Sequence, residues 1–414
     1  MDAVLECCCG LDVHRDSIVA CLLKGSLTNK PESTLRTFSS LPHGLQQLRE
    51  WLVEENCRHV AMESTGVYWQ PVFETLEDAF DSSIVLMVVN AHHMRNVPGR
   101  KTDMKDAQWI AMLLRAGLLK SSFIPNKLTR ELRDLTRYRK SLVQVANAQK
   151  NRIEKFLQSS GFKLSSFMSD IFGVSGQAIM AHLSCYGEIS VELLDTYLKG
   201  TLRKKKDDVA LAVAGKLSVH QRHFLATQLK HLHQMELSIQ EIEADIHLVL
   251  VNFQKEIELL DSIPGLDITA AAAIIAEIGT DMSKFPTSEH LCSWAGLSPG
   301  DNESAGKKKS VRTNKGNRHI KQLLCEIAWC ITRIRKTYLS NWYWKIKQRR
   351  GAKKAIIALS RKLLTIIYAV IKNDNNPFKE ELYEQQQQRQ LNHRQQKMIK
   401  ELTKQGFEVI PKGV

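Results

Sequence analysis

The chain lacks any uninterrupted apolar run of the roughly 18–20 residues that a bilayer-spanning helix requires. The nearest approach, Ile356 to Ile371, is broken by Ser360, Arg361 and Lys362. The first residues show neither the basic start nor the small-residue cleavage site of a secretory signal, so a cytoplasmic location and no membrane partner are expected. Metal-type cysteine spacing is also missing. None of the nine cysteines forms a Cys-x-x-Cys pair, which argues against structural zinc. Cys7, Cys8 and Cys9 are consecutive in a strand-like run, where neighbouring side chains point to opposite faces, and they read as small core residues. Acids are scarce relative to bases: 58 Lys and Arg against 44 Asp and Glu leave a net charge of +14. Such a surplus favours a polyanionic partner through counterion release, nucleic acid foremost.

With 414 residues, two or three domains are expected. The N-terminal part reads as a mixed α/β sheet. Val4 to Val13 and Ser17 to Leu23 are hairpin-linked strands, and Thr34 to Ser39 is a third. An amphipathic helix follows through Leu45, Leu48, Trp51 and Leu52. His59 to Met62 is a fourth strand ending at Glu63. The turn Ser64-Thr65-Gly66 is placed to cap a helix carrying Tyr68, Val72, Phe73 and Leu76. Ile84 to Val89 reads as a buried strand, and the stretch from Asp103 through Leu114 as a helix with Asp103 and Asp106 on one face at its start.

Four acids stand out in this order: Asp12 and Glu63 at strand ends, Asp103 and Asp106 at a helix start. Phosphoryl transfer by hard divalent cations needs several carboxylates converging on ions about 3.5–4 Å apart. Each acid also has a plain structural reading, as a turn residue or as favourable charge at a helix N-terminus.

From Lys127 the pattern turns helical. Leu128, Leu132, Leu135, Leu142, Val145, Ile153 and Phe156 fall near a heptad seam with a basic flank that includes Arg133, Arg137, Arg139 and Lys140, and a coiled coil is expected. Leu225, Leu229, Leu232, Ile239, Ile242 and Ile246 repeat the seam as an antiparallel partner. Leu259 to Gly279 reads as helix, Pro264-Gly265 turn, helix, a helix-hairpin-helix pattern whose turn presents backbone N–H groups to phosphate. Gly300 to Ser310 then combines small residues, two serines and a lysine run, and reads as a loop suited to a phosphate. Lys307, Lys308, Lys309, Arg312, Lys315 and Arg318 cluster there, as do Lys353, Lys354, Arg361 and Lys362 further on, as candidate nucleic-acid contacts. Trp342-Tyr343-Trp344, interleaved with Lys345, Lys347, Arg349 and Arg350, suits either base stacking or core packing. Glu384 onward is Gln-rich and reads as an extended helix or a disordered tail.

Gly10-Leu11-Asp12-Val13-His14, Met62 to Trp69 and Lys101 to Ala107 resemble the three signatures of the RuvC-like DEDD domain of a group of bacterial insertion-sequence transposases, the bridge-RNA-guided recombinases. Ile263-Pro264-Gly265-Leu266 through Gly316-Asn317 resembles their C-terminal transposase domain, with Ser304 at the position of its serine nucleophile. Arg350 to Leu364 is similar to their closing basic helix. The resemblance implies an RNase H-like (RuvC-like) α/β domain over 1–125, a helical coiled-coil region over 126–255, a mainly α transposase domain over 256–375 and a Gln-rich tail over 376–414. It implies that Asp12, Glu63, Asp103 and Asp106 hold Mg²⁺, two ions with Mn²⁺ as a substitute, and that Ser304 forms a covalent phosphoserine link to DNA. It further implies donor and target DNA, a structured noncoding guide (bridge) RNA and a homo-oligomer, dimers assembling to a tetramer with a composite active site. Two other readings remain compatible with the residues: a metal-dependent junction-resolving nuclease in which water attacks, and a nonenzymatic RNA- or DNA-binding protein.

Overall fold

The structure, a computed structural model, describes residues 3–64, 66–90, 106–300, 302–304, 307–310, 312–373 and 376–405, excepting the side chains of 81–82, of 302–310 and of part of the last helix. Asp103 lies outside the described residues, as do the side chains of Ser304 and Lys307 to Lys309. Two compact units divide the chain, Met1–Ile124 and Pro125–Val414.

In the first unit, β1 (Cys7–Val13), β2 (Ser17–Lys24) and β3 (Glu32–Ser39) form an antiparallel meander, and β4 (His59–Glu63) and β5 (Val85–Val89) extend the sheet in parallel on the other side of β1. The strand order is β3-β2-β1-β4-β5. Helices α1 (Pro42–Glu54) and α2 (Trp69–Glu77) connect the strands, and α3 (Asp106–Arg115) follows them. Tyr68 is the N-cap of α2 with no side-chain capping bond, so the expected cap by the Ser64-Thr65-Gly66 turn is replaced by a later helix start.

Side chains alternate across a strand, and the two cores record it. Cys9, Leu11, Val13, Val60 and Met62 pack with Leu48, Trp51, Leu52, Val72 and Leu76 of α1 and α2. Cys8, Cys21, Ala61 and Val89 pack with Ala107, Ile110, Ala111 and Leu114 of α3. The consecutive cysteines thus go to opposite cores, as expected for small apolar residues, and all nine are unpaired thiols. Gly10 lies on the α3 side of β1. A Cβ there would stand 2.3 Å from both the Ala107 carbonyl oxygen and the Ala111 amide nitrogen, so the absence of a side chain lets α3 rest on the strand backbone. Arg115, 8% exposed, ties the other end of α3 to the sheet by donating to the carbonyls of Leu5, Gly25 and Ser26.

The second unit is mostly helical. Helix α4 (Lys127–Ser159) runs antiparallel to α8 (Val219–Leu250), joined by the Arg139–Glu243 and Lys150–Glu236 ion pairs and the Phe156–Phe224 ring contact. The short helices α5 (Val174–Tyr186), α6 (Val191–Tyr197) and α7 (Lys206–Ala212) close over one end of this pair around Phe162, Ile179, Leu183, Leu194 and Val209. On α4 the buried residues Leu132, Ala146, Gln149 and Ile153 keep heptad spacing, with Leu128, Leu135, Leu142 and Phe156 half-buried; of the expected seam residues Val145 departs, being 44% exposed beside Ala146. Helix α4 also divides its packing between α8 and a later helix.

That later helix is α10 (Ile268–Ile278), which follows α9 (Gln254–Asp261) across the expected Pro264-Gly265 turn. Gly265 has φ +88°, and a Cβ on it would meet Ile331 Cγ1 at 2.7 Å. The glycine therefore serves the seating of the turn on the helix that holds Ile331, while Asp267 Oδ1 caps α10 at Ala270 N, 2.7 Å away. Helices α11 (Ser288–Trp294), α12 (Arg318–Ile331) and α13 (Tyr338–Arg350) surround α14 (Ala352–Lys372). Helix α14 buries Leu359, Leu363, Leu364 and Ile367, with the Ser360 hydroxyl donating to the Ile356 carbonyl at 2.9 Å. A last helix, α15, spans Glu380–Lys404 in the Gln-rich region. Among the described residues no helix is long and apolar enough to cross a membrane.

Candidate active site

The sheet register places two of the four acids. β1 and β4 pair in parallel through Cys9 with Val60, Gly10 with Ala61 and Leu11 with Met62, so Asp12 and Glu63 are the next residues on adjacent strands. Leu11 and Met62 belong to the core under α1 and α2, and alternation turns Asp12 and Glu63 to the opposite face, the one covered by α3. Helix α3 starts at Asp106, next to Ala107, whose carbonyl lies over Gly10. Asp12 and Glu63 therefore lie side by side at two strand C-termini on the sheet face that α3 covers, and Asp106 is the first described residue of that helix. Asp12 and Glu63 are half-buried and Asp106 is exposed. Asp12 Oδ2 lies 3.1 Å from His14 Nε2.

Carboxylate oxygens are the hard donors that Mg²⁺ prefers. The donor set suits such an ion in kind. Among the described residues, however, no group of three or more His, Cys, Asp or Glu is gathered closely enough to hold a metal.

Ser304 belongs to the second unit and sits on a short hairpin, where a plain loop was expected. Strand β6 (Asn302–Ser304) pairs antiparallel with β7 (Lys307–Ser310), Ser304 opposite Lys307, with a register irregularity between Asn302 and Glu303. Side-chain composition does not reveal this, because the pairing uses backbone groups. The stem continues below the strands through Gly300 N to Arg312 O at 2.8 Å, Asn314 N to Ser298 O at 3.1 Å and Asn317 N to Trp294 O at 3.0 Å. At its foot Gly296 and Gly316 meet backbone to backbone, where a Cβ on Gly316 would stand 2.3 Å from Gly296 N.

Asn317 anchors the stem. Its Oδ1 caps α12 by accepting from His319 N and Ile320 N at 2.9 and 3.3 Å, and its Nδ2 donates to Glu277 Oε2 at 2.8 Å. Glu277, 4% exposed at the end of α10, accepts two further bonds from Arg137 of α4, at 2.7 and 2.9 Å. Arg133 donates to the Ala276 and Glu277 carbonyls at 2.8 and 2.9 Å, satisfying acceptors that a helix C-terminus leaves open. Burial opposes ionisation of Glu277, but the bonds and charge of Arg137, the Asn317 amide and Arg133 outweigh it and hold the carboxyl below its ordinary range. Burial and the neighbouring Arg137 push the His319 imidazole down. Sequence reasoning counted Arg133 and Arg137 as a basic flank and passed over Glu277. The available signal was a single acid in the apolar stretch from Ala270 to Ile278, since such an acid must be paired when buried.

The other basic candidates differ in placement. Arg312, Lys315 and Arg318 are exposed beside the stem, and Lys353 and Lys354 are exposed on the first turn of α14. Arg361 and Lys362 are half-buried, with Lys362 Nζ 5.1 Å from the Tyr338 ring centroid and 5.5 Å from that of Trp342.

Comparison with known proteins agrees with both halves. Residues 9–161 match a family model described as Transposase, of the DEDD type of IS110, and residues 257–343 match one described as Transposase IS116/IS110/IS902 family. An uncharacterized 43.6 kDa protein of insertion element IS110 from Streptomyces coelicolor is 26% identical over 301 residues, 67% of this chain and 72% of that protein. The pilin gene-inverting protein of Moraxella bovis is 30% identical over 175 residues, covering 41% of this chain and 52% of its own length. The transposase for insertion sequence element IS1111A of Coxiella burnetii is 30% identical over 121 residues, 28% of this chain and 33% of that protein. The two family models together span more than half of the 414 residues, and the chain belongs to the IS110/IS116 family of insertion-sequence transposases.

Proposed function

We propose that the protein cuts and rejoins the DNA strands of a mobile element and its target through a phosphoserine intermediate on Ser304. The placement of Asp12 and Glu63 on adjacent strand ends, on the face that α3 covers, supports this reading, because phosphodiester chemistry with divalent ions demands neighbouring carboxylates. In the exchange, the Ser304 oxygen bonds to phosphorus, the bond from phosphorus to a deoxyribose oxygen breaks, and that oxygen leaves as a hydroxyl. One phosphodiester replaces another, so the reverse attack by a deoxyribose hydroxyl rejoins strands without an external energy source. Asp12, Glu63, Asp103 and Asp106 would hold Mg²⁺, which neutralises charge on the phosphate oxygens when bound. The hairpin pairs Ser304 with Lys307 in backbone register, and exposed Arg312, Lys315 and Arg318 flank its stem, a charge that favours an approaching phosphate.

In this reading the partners are donor and target DNA and a structured guide RNA, and the α4–α8 pair acts as a coiled coil joining protomers of a dimer or tetramer. Domain roles follow the expected division: a metal domain over 1–125, the helical region over 126–255, the serine-bearing domain over 256–375 and the tail over 376–414.

The test is to incubate the protein with labelled DNA carrying element ends, denature it, and search for a protein–DNA adduct by gel and for phosphoserine by peptide mass spectrometry. An adduct at Ser304, lost in Ser304→Ala, is the expected result. Cleavage at an undiminished rate in Ser304→Ala would assign the attack to water, and an adduct at Ser298 or Ser310 would move the nucleophile.

A further inference from the structure

Helices α12 and α13 carry a surface that the proposed strand exchange does not use. Between Ile327 and Asn373 the chain has twelve Lys or Arg and no Asp or Glu. Within that stretch the structure sorts the aromatic residues. Tyr343 is 1% exposed, whereas Trp344 beside it and Trp329 on α12 are each 47% exposed. Both indoles pack edge to face on the buried phenol: Trp329 with centroids 6.4 Å apart at 61°, Trp344 with centroids 5.4 Å apart at 76°. Tyr343 is thus a fixed spacer holding two exposed indoles. Lys347 Nζ lies 4.1 Å from the Trp344 ring centroid, and Lys345, Arg349 and Arg350 are exposed on the same helix.

Core packing would bury both tryptophans. Two indoles left half-open on one rigid support, with the cations of α13 beside Trp344, form instead the pairing of aromatic faces and positive charge that binds unpaired nucleotides. A second copy of this chain is a poor occupant for so basic a patch, since each copy carries a net charge of +14.

We propose that Trp329 and Trp344 form a stacking platform for unpaired bases of a DNA strand, with Lys345, Lys347, Arg349 and Arg350 taking its phosphates. The platform stands whether or not Ser304 is the nucleophile, and it accounts for how a separated strand would be held during exchange.

Fluorescence anisotropy of the full-length protein with labelled oligothymidylate, and with a duplex of equal length, tests it. Trp329→Ala combined with Trp344→Ala is expected to weaken oligothymidylate binding by roughly tenfold or more, with duplex affinity unchanged within about twofold. Arg349→Ala with Arg350→Ala should weaken both and flatten the salt dependence. Unchanged oligothymidylate affinity in the tryptophan variant, or an equal loss on duplex, would overturn the proposal. Tighter binding of oligouridylate, or tryptophan-dependent binding to phosphatidylglycerol vesicles in place of the oligonucleotide, would overturn the assignment to DNA. Should the double variant fail to fold, ultraviolet crosslinking of the wild-type protein to oligothymidylate decides: adducts on peptides holding Trp329 or Trp344 support the platform, and adducts confined to other peptides refute it.

Discussion

The Asn317 amide donates to the Glu277 carboxylate at 2.8 Å, joining the foot of the serine hairpin to a buried acid that Arg137 grips with two bonds. The same side chain caps α12, so one residue sets both where the hairpin ends and where the next helix begins.

Asn317→Ala removes the helix cap, worth about 1 kcal/mol, and a hydrogen bond to a charged group, worth about 2 kcal/mol. A loss of about 3 kcal/mol in urea unfolding is expected. Asn317→Ser keeps a capping oxygen and should fall between that variant and the wild type. Equal stability of all three proteins would show that the clamp contributes nothing.

The Glu277 carboxyl is held below its ordinary value near 4.5, so the folded state favours its ionised form. Its stabilising contribution is fully present above that value and is lost as pH falls through the folded pKa. Glu277→Gln should therefore be less stable than wild type at neutral pH and show a shallower decline in acid. Unfolding curves collected from neutral pH downward check both points.

Gly10→Ala should be disproportionately harmful for one added methyl. The new carbon meets backbone atoms of Ala107 and Ala111 at 2.3 Å, which no rotamer change relieves. Overpacking of this kind costs about 3 kcal/mol. It also lifts the helix that begins at Asp106, so DNA cleavage should fall together with the melting temperature. A variant that melts like wild type and cleaves normally would contradict the close approach.

In the proposed mechanism Asp12→Asn and Glu63→Gln should reduce strand cleavage by about a hundredfold or more, because each removes a carboxylate proposed to hold the metal. DNA affinity measured by gel shift should be retained, since the basic residues are untouched. Loss of binding in parallel with cleavage would give these acids a structural role.

Thiol labelling should separate the three consecutive cysteines. A bond with Cys57 draws the Cys7 thiol down to about 7, against burial and with help from Lys24, whereas burial pushes Cys8 up to about 12. Iodoacetamide near neutral pH should modify Cys7, together with exposed Cys185 and Cys330, well before Cys8 or Cys9. Mass spectrometry of the labelled peptides reads the order.

Much of the first unit is legible residue by residue. Alternation along Cys8, Cys9, Gly10 and Leu11 marks a strand buried on both faces, and the same rule carried to Asp12 and Glu63 identifies acids at strand ends, because strand periodicity is a property of the local backbone. The Ser304 setting is different. Its pairing depends on backbone bonds, and its anchor, Glu277, lies 40 residues from Asn317 and 140 from Arg137 in the chain. The α4 seam shows an intermediate case: the apolar repeat announces a long helix, yet Val145 faces solvent because its neighbour Ala146 holds the seam position.

The sequence by itself determined the basic charge, the order of strands and helices and the residue types able to do phosphate chemistry, since these follow from composition and local periodicity. Tertiary structure alone decided that Asp12 and Glu63 share the α3 face, that Gly10 must stay bare, that Glu277 pins the serine hairpin and that Trp329 and Trp344 remain open while Tyr343 is buried. Each of these depends on which distant surfaces compete for the same side chain, and that competition is settled only when the chain packs.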